Sequence, residues 1–157
     1  MIDSKELKNL NADLNKIGKE LLNSIKNIPD SITKELVIGA NDIRNTIILS
    51  MKNTLKTGRS YKRGKKKHIA SSPGNPPAID SGELIRSIFY DVRKTEMEVE
   101  VGNLAGAPYG RFLEEGTEKM EARPWLAPAV DECKNGIINK VGETAFSIIN
   151  KPFEELI

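Results

Sequence analysis

The residues whose types and spacing can do chemistry are few. Glu114, Glu115 and Glu118 form a close carboxylate group, with Asp131 further on, and such a set can bind a divalent metal or divide acid and base roles. Adjacent Glu114 and Glu115, however, point to different sides of a helix and make a poor chelate. A solvated helix end, with one of these glutamates paired to Arg123, is the simpler expectation. The one histidine, His68, lies among lysines, which oppose its protonation and metal binding alike, so it reads as a loop histidine. Cys133 sits on an apolar helical face and reads as a small core residue. No P-loop, GxSxG, HExxH or nucleotide-binding glycine pattern is present. The strongest charge feature is a run of seven cations, Lys56, Arg59, Lys62, Arg63, Lys65, Lys66 and Lys67, with no acid among them. Such a run repels itself unless solvent or an anion screens it, and contact with phosphate is its natural chemistry. Tyr61 is the only aromatic interleaved with it, which gives base stacking little support.

The elements that position these residues belong to a chain of 157 residues with 38% hydrophobic and 5% aromatic content, which suits a single domain with an aliphatic core. Lys+Arg is 24 against Asp+Glu 22, a net charge of +2. That balance argues against a general nucleic-acid coat and against a disordered acidic chain. One cysteine excludes an intramolecular disulfide and a Cys-rich zinc site, and one histidine excludes a multi-His metal site. No apolar run approaches the roughly 20 residues of a membrane helix, and the charged start has no signal-peptide core, so synthesis in the cytoplasm and no membrane partner are expected.

Leu7, Leu10, Leu14, Ile17, Leu21, Ile25 and Ile28 recur in steps of three and four, so a helix capped by Ser4 and stopped by Pro29 is expected. A second helix, about 32–55, completes a helical hairpin over 1–56. Residues 57–80 break every period and read as a mobile basic and Pro-rich loop, ending in the polyproline-like stretch Pro73-Gly74-Asn75-Pro76-Pro77. Residues 81–157 carry the rest of the same domain. Asp80-Ser81-Gly82-Glu83 has capping-box spacing for a short helix. Ile88–Arg93 and Met97–Val101 alternate as an antiparallel hairpin, with Arg93 or Lys94 facing Glu98 or Glu100. Tyr109–Glu115 suits a short helix closed by Gly116, and 117–123 a strand or loop. Pro124 opens a long final helix that Pro152 ends. Gly136 and Gly142 in that helix point to a close approach of the sheet. The fold class is α+β, with the C-terminal helix packed on a small antiparallel sheet.

Two stretches in order carry a family resemblance. The first is Ala70-Ser-Ser-Pro-Gly-Asn-Pro-Pro-Ala78 with Asp80-Ser-Gly-Glu-Leu-Ile-Arg-Ser-Ile88. The second is Pro108-Tyr-Gly-Arg-Phe-Leu-Glu-Glu-Gly-Thr117 with Arg123-Pro-Trp-Leu-Ala-Pro-Ala129. Together they resemble the tail-completion (neck, minor tail component) proteins of long-tailed bacteriophages and prophages, over roughly 60 residues. The resemblance implies an α+β virion part with no catalytic role and no cofactor. It implies a ring, commonly a hexamer, at the head-proximal end of the tail. Its partners would be its own copies, the tail terminator or tail tube protein and the head-completion or connector proteins. The motif residues Tyr109, Phe112, Glu114, Gly116, Thr117, Arg123, Pro124 and Trp125 are then structural or interfacial. Pro73, Gly74, Pro76 and Pro77 form a docking arm, and Lys62, Arg63, Lys65, Lys66 and Lys67 meet a partner or DNA in the channel. Glu115 departs from the family, which often has an aromatic there. The alternative is a nucleic-acid-binding module acting through residues 56–68.

Overall fold

The computed structural model describes residues 4–154, with side chains from residue 12. The expected cap at Ser4, the stripe positions Leu7 and Leu10, and tail positions 155–157 therefore lie outside what is described. The order is α1 (Ser4–Asn53), β1 (Ser60–Arg63), β2 (Lys66–Ile69), α2 (Glu83–Ser87), β3 (Ile88–Arg93), a 3₁₀ turn (Lys94–Glu96), β4 (Glu98–Asn103), α3 (Tyr109–Glu115) and α4 (Ala127–Glu154). The class is α+β, with two separate two-stranded antiparallel sheets, β1–β2 and β3–β4.

The expected helical hairpin is instead one helix of 50 residues with Pro29 inside it. A mid-helix proline removes one N–H and costs about 3 kcal/mol relative to alanine, yet it leaves the bonds on either side intact. Thr33 Oγ1 donates to the Pro29 carbonyl at 2.7 Å. Downstream, the wide apolar face of α1 holds the backbone helical through its packing with α4. Pro152 likewise lies within α4 rather than ending it; its ring is buried and only the last turn loses a bond.

Helix α4 runs antiparallel to α1: Gly39 meets Ile137, while Thr46 Oγ1 lies 3.5 Å from Cys133 Sγ. A Cβ on Gly39 would stand 2.6 Å from Ile137 Cγ1, so glycine there lets the two helices approach. The approach expected at Gly136 and Gly142 is not found, since nothing lies within 4 Å of a Cβ built at either. The core joins both helices to the β3–β4 hairpin through Ile43, Ile47, Met51, Leu84, Ile88, Ala107, Trp125 and Ala129. Asn41 Nδ2 donates to Tyr90 Oη at 3.2 Å, and Arg44 Nε to the Ile88 carbonyl at 3.3 Å, which ties β3 to α1. Cys133 packs partly buried against this core.

At 1.5 Å per residue α1 is roughly 75 Å long and α4 roughly 42 Å. By the same rise, α4 ends opposite about residue 25 of α1. The exposure follows: Leu14 is 57%, Leu22 61% and Ile25 49% accessible. A second uncovered stripe runs along α4, where Ile138, Phe146, Ile149 and Phe153 share one face and are 65%, 70%, 42% and 45% accessible.

Candidate assembly interface

The two motif stretches meet at one corner, and a single carboxylate joins them. Helix α3 ends at Glu115, where Gly116 takes φ 78° and its N–H donates to the Phe112 carbonyl at 2.9 Å. A Cβ there would be strained by the backbone angle and would lie 2.9 Å from Ala122 N. The chain then folds into a tight turn: Thr117 N donates to the Met120 carbonyl at 2.7 Å and Met120 N to the Thr117 carbonyl at 3.1 Å. Thr117 Oγ1 accepts from Lys119 N at 3.3 Å. Residues 117–123, open between strand and loop in the sequence, form this turn.

Glu114 does not pair with Arg123. Its carboxylate accepts three backbone N–H groups at the start of α4: Trp125 at 2.6 Å, Leu126 at 2.9 Å and Ala127 at 2.9 Å. These are among the donors that a helix leaves free at its N-terminus, where the dipole also favours a negative charge. Pro124 precedes this cap, and α4 begins three residues later than the proline alone suggests. Arg123 instead donates through Nε to the Ser71 carbonyl at 3.2 Å and through Nη1 to the Glu121 carbonyl at 3.3 Å. Its N–H also donates to the Leu113 carbonyl at 2.7 Å. Trp125 is buried in the core and donates from Nε1 to the Gly110 carbonyl at 2.9 Å. Gly110 is needed because the Asn103 amide, which bonds the Ala107 carbonyl at 2.6 Å, fills the space of a Cβ. Tyr109 and Phe112 lie on the outer side of α3, and Phe112 is 56% accessible. Glu115 is exposed and pairs with Arg111 at 3.0 Å.

The Pro-rich arm lies on its own chain. Gly74 N donates to the Ala122 carbonyl at 2.9 Å, and Pro77 is buried, while Pro73 faces solvent and Pro76 is half-buried. The segment before it is not a structureless loop. Gly58 N donates to the Ala70 carbonyl and Ala70 N to the Arg59 carbonyl, extending the β1–β2 hairpin at its base. The turn Gly64-Lys65 joins the strands, with Gly64 at φ 60°. The sequence shows the positive charge here but hides the strand pairing, because lysine and arginine occupy half of the strand positions and leave Tyr61, His68 and Ile69 without an apolar alternation.

Within that ribbon, Tyr61, Arg63 and His68 turn toward the body. Arg63 Nη1 lies 3.2 Å from Asp80 and Nη2 3.8 Å from Glu83. His68, expected in a loop, is buried in β2, edge-on to Tyr61 at 5.1 Å and 3.6 Å from Asp80. Burial pushes the Tyr61 phenol up from its usual value, and the Asp80 charge adds to it. Burial, then the Glu83 charge, does the same at Tyr109. The hydrogen bond from Arg63 to Asp80 holds its guanidinium charge more firmly still. Lys62, Lys65, Lys66 and Lys67 are exposed and have no ion-pair partner among the described residues. A cleft of about 470 Å³ opens between the ribbon and the 117–123 turn, lined by Arg59, Tyr61, His68, Lys119, Glu121 and Arg123 with several apolar neighbours. Ser71 beside it is fully buried, and its Oγ has no hydrogen-bond partner among the described residues.

Among the described residues, no group of three His, Cys, Asp or Glu is placed to hold a metal ion, and no helix is long and apolar enough to cross a membrane. Comparison with protein-family models, with curated proteins and with solved structures returned no match.

Proposed function

We propose that this chain is a structural virion protein, a tail-completion or neck component of a long-tailed bacteriophage. It forms a ring at the head-proximal end of the tail and helps join tail to head. The observation that supports this most is the Glu114 corner. There the second motif closes on itself, with its two halves tied by three backbone N–H bonds, and the first motif lies against it through Gly74 and Ser71. A carboxylate spent on capping a helix is placed for geometry and not for turnover. The exposed aromatics of α3 and the uncovered apolar stripes of α1 and α4 suit a part that completes its surface by assembly. On this reading the protein has no catalytic role, needs no cofactor and resides in the virion. The alternative, nucleic-acid binding through residues 56–68, has the unpaired lysines in its favour.

The test is the composition of particles released by the genome that encodes the chain. Mass spectrometry and immunogold labelling are expected to find it at the head-proximal end of the tail, and disrupting its gene to yield unjoined heads and tails. Its absence from particles, with joined virions still formed, overturns the reading.

A further inference from the structure

The two β-hairpins carry opposite net charge, and each sets like charges directly across its strands in at least one pair. In β1–β2 the register sets Lys62 directly across from Lys67 and Arg63 across from Lys66. Arg63 is neutralised from within by Asp80 and Glu83. Lys62 and Lys67 share the opposite face of the ribbon, away from these acids, and Lys65 stands in the turn beside them. In β3–β4 the apolar face, Tyr90, Val92, Val99 and Val101, turns inward, and the outer face carries Asp91 across from Glu100 and Arg93 across from Glu98. The tip adds one acid and one cation, Glu96 and Lys94, and Arg93 spans Glu96, Glu98 and Glu100, at 3.7, 3.4 and 2.7 Å. Asp91 has no cation within 4 Å among the described residues. Like charges directly opposite on paired strands are unfavourable, so each hairpin gains when a surface of the other sign covers it.

Among the described residues, the two do not pair with each other within one chain. Arg63 borders the same cleft as Met51, near the C-terminal end of α1, whereas Tyr90, next to Asp91, meets Asn41 and the hairpin tip at Val92 and Lys94 borders a cleft with Lys34. Along α1 the separation from Met51 is roughly 15 Å to Asn41 and roughly 25 Å to Lys34.

In the acidic stretch Glu114–Glu121, two of the four carboxylates are engaged within the chain and a third lines a cleft with cations. Glu114 caps α4, Glu115 holds Arg111, and Glu121 lies beside Arg59 and Arg123 in the cleft of the same chain. Elsewhere, several helix acids are matched one turn away, as Asp131 is by Lys134 and Glu143 by Lys140. We infer that the β1–β2 ribbon of one copy docks on the acidic outer face of the β3–β4 hairpin of the next copy, with Lys62 and Lys67 over Asp91 and Glu100. This rests on the ring reading and names its contact. Because the two patches differ, the contact is head-to-tail and propagates to a ring or a filament.

The experiment is sedimentation of the purified full chain at about 50 mM and about 500 mM salt, across which exposed charges become well screened. Wild type is expected to associate at low salt and dissociate at high salt. K62E/K67E and D91K/E100K, each folded by circular dichroism, are each expected to weaken association by about tenfold or more. The fourfold variant, which restores opposite signs, is expected to regain it. A wild type that stays monomeric at low salt overturns the inference, as does association unaffected by either reversal or not regained in the fourfold variant. Duplex DNA bound with a steep salt slope and lost in K62E/K67E, with association unchanged, overturns it in favour of nucleic acid. A ring insensitive to these charges refutes the contact and leaves the tail reading standing. Charge-dependent association by a chain absent from virions refutes the tail reading and leaves the contact standing.

Discussion

Glu114 concentrates in one carboxylate the work of several caps, because it receives three of the free N–H groups at the head of α4 while anchored in α3. Glu114→Ala is therefore expected to destabilise the fold by about 2 kcal/mol, and Glu114→Gln by about half of that, in urea titrations followed by circular dichroism. Gly116→Ala should cost at least about 1 kcal/mol by the same measurement, since the new Cβ meets both a positive φ and the Ala122 backbone. Tyr61 and Tyr109 give a pH signature. Their phenols are raised in the folded state, so the folded protein holds protons that the unfolded chain has released. Their contribution is present below the ordinary tyrosine value and is lost as pH rises through the folded values. Absorbance titration should show these two phenols ionising late. Asp80→Asn should bring Tyr61 part of the way back, because burial is the larger cause. At this scale Gly116 is legible in the sequence, since a glycine after a short helical run has one plain use. The partner of Glu114 is not: letters show opposite charges such as Arg123, whereas backbone N–H groups at a helix start leave no mark of their own.

Among the elements, β3 matches the sequence residue for residue, while β4 begins one residue later than expected and runs two further, because Met97 takes φ 51° and closes the turn instead of opening the strand. Helix α1 shows the opposite case. Pro29 is a local signal for a stop, and packing further along the chain outweighs it. Pro29→Ala is expected to raise thermal stability, by up to about 3 kcal/mol, without changing the fold. Gly142 has open space around it in a helix, so Gly142→Ala should add about 1 kcal/mol to the isolated chain. The β1–β2 ribbon escapes a sequence reading because six of its eight strand positions are polar, and neighbouring segments rather than its own pattern hold it.

For the molecule as a whole, the sequence conveys the α+β class and the amphipathic faces of both long helices. It does not convey which apolar positions stay uncovered, because that depends on where α4 ends against α1. Ile138→Ser/Phe146→Ser should leave the isolated chain's stability within about 0.5 kcal/mol of wild type, measured by urea unfolding, while reducing aggregation on heating. A change in stability well beyond that would mean these side chains are packed within the single chain.

The length of α1 has a mechanical consequence. Its C-terminal half is clamped in the core, and roughly 35 Å of rod stands before Pro29. Proline is where helices bend most readily, and a hinge of ~10° at that point would sweep the far tip by ~6 Å. Small rotations near the clamp are thus magnified into displacements the size of a side chain, as in a lever whose short arm is the body of the protein.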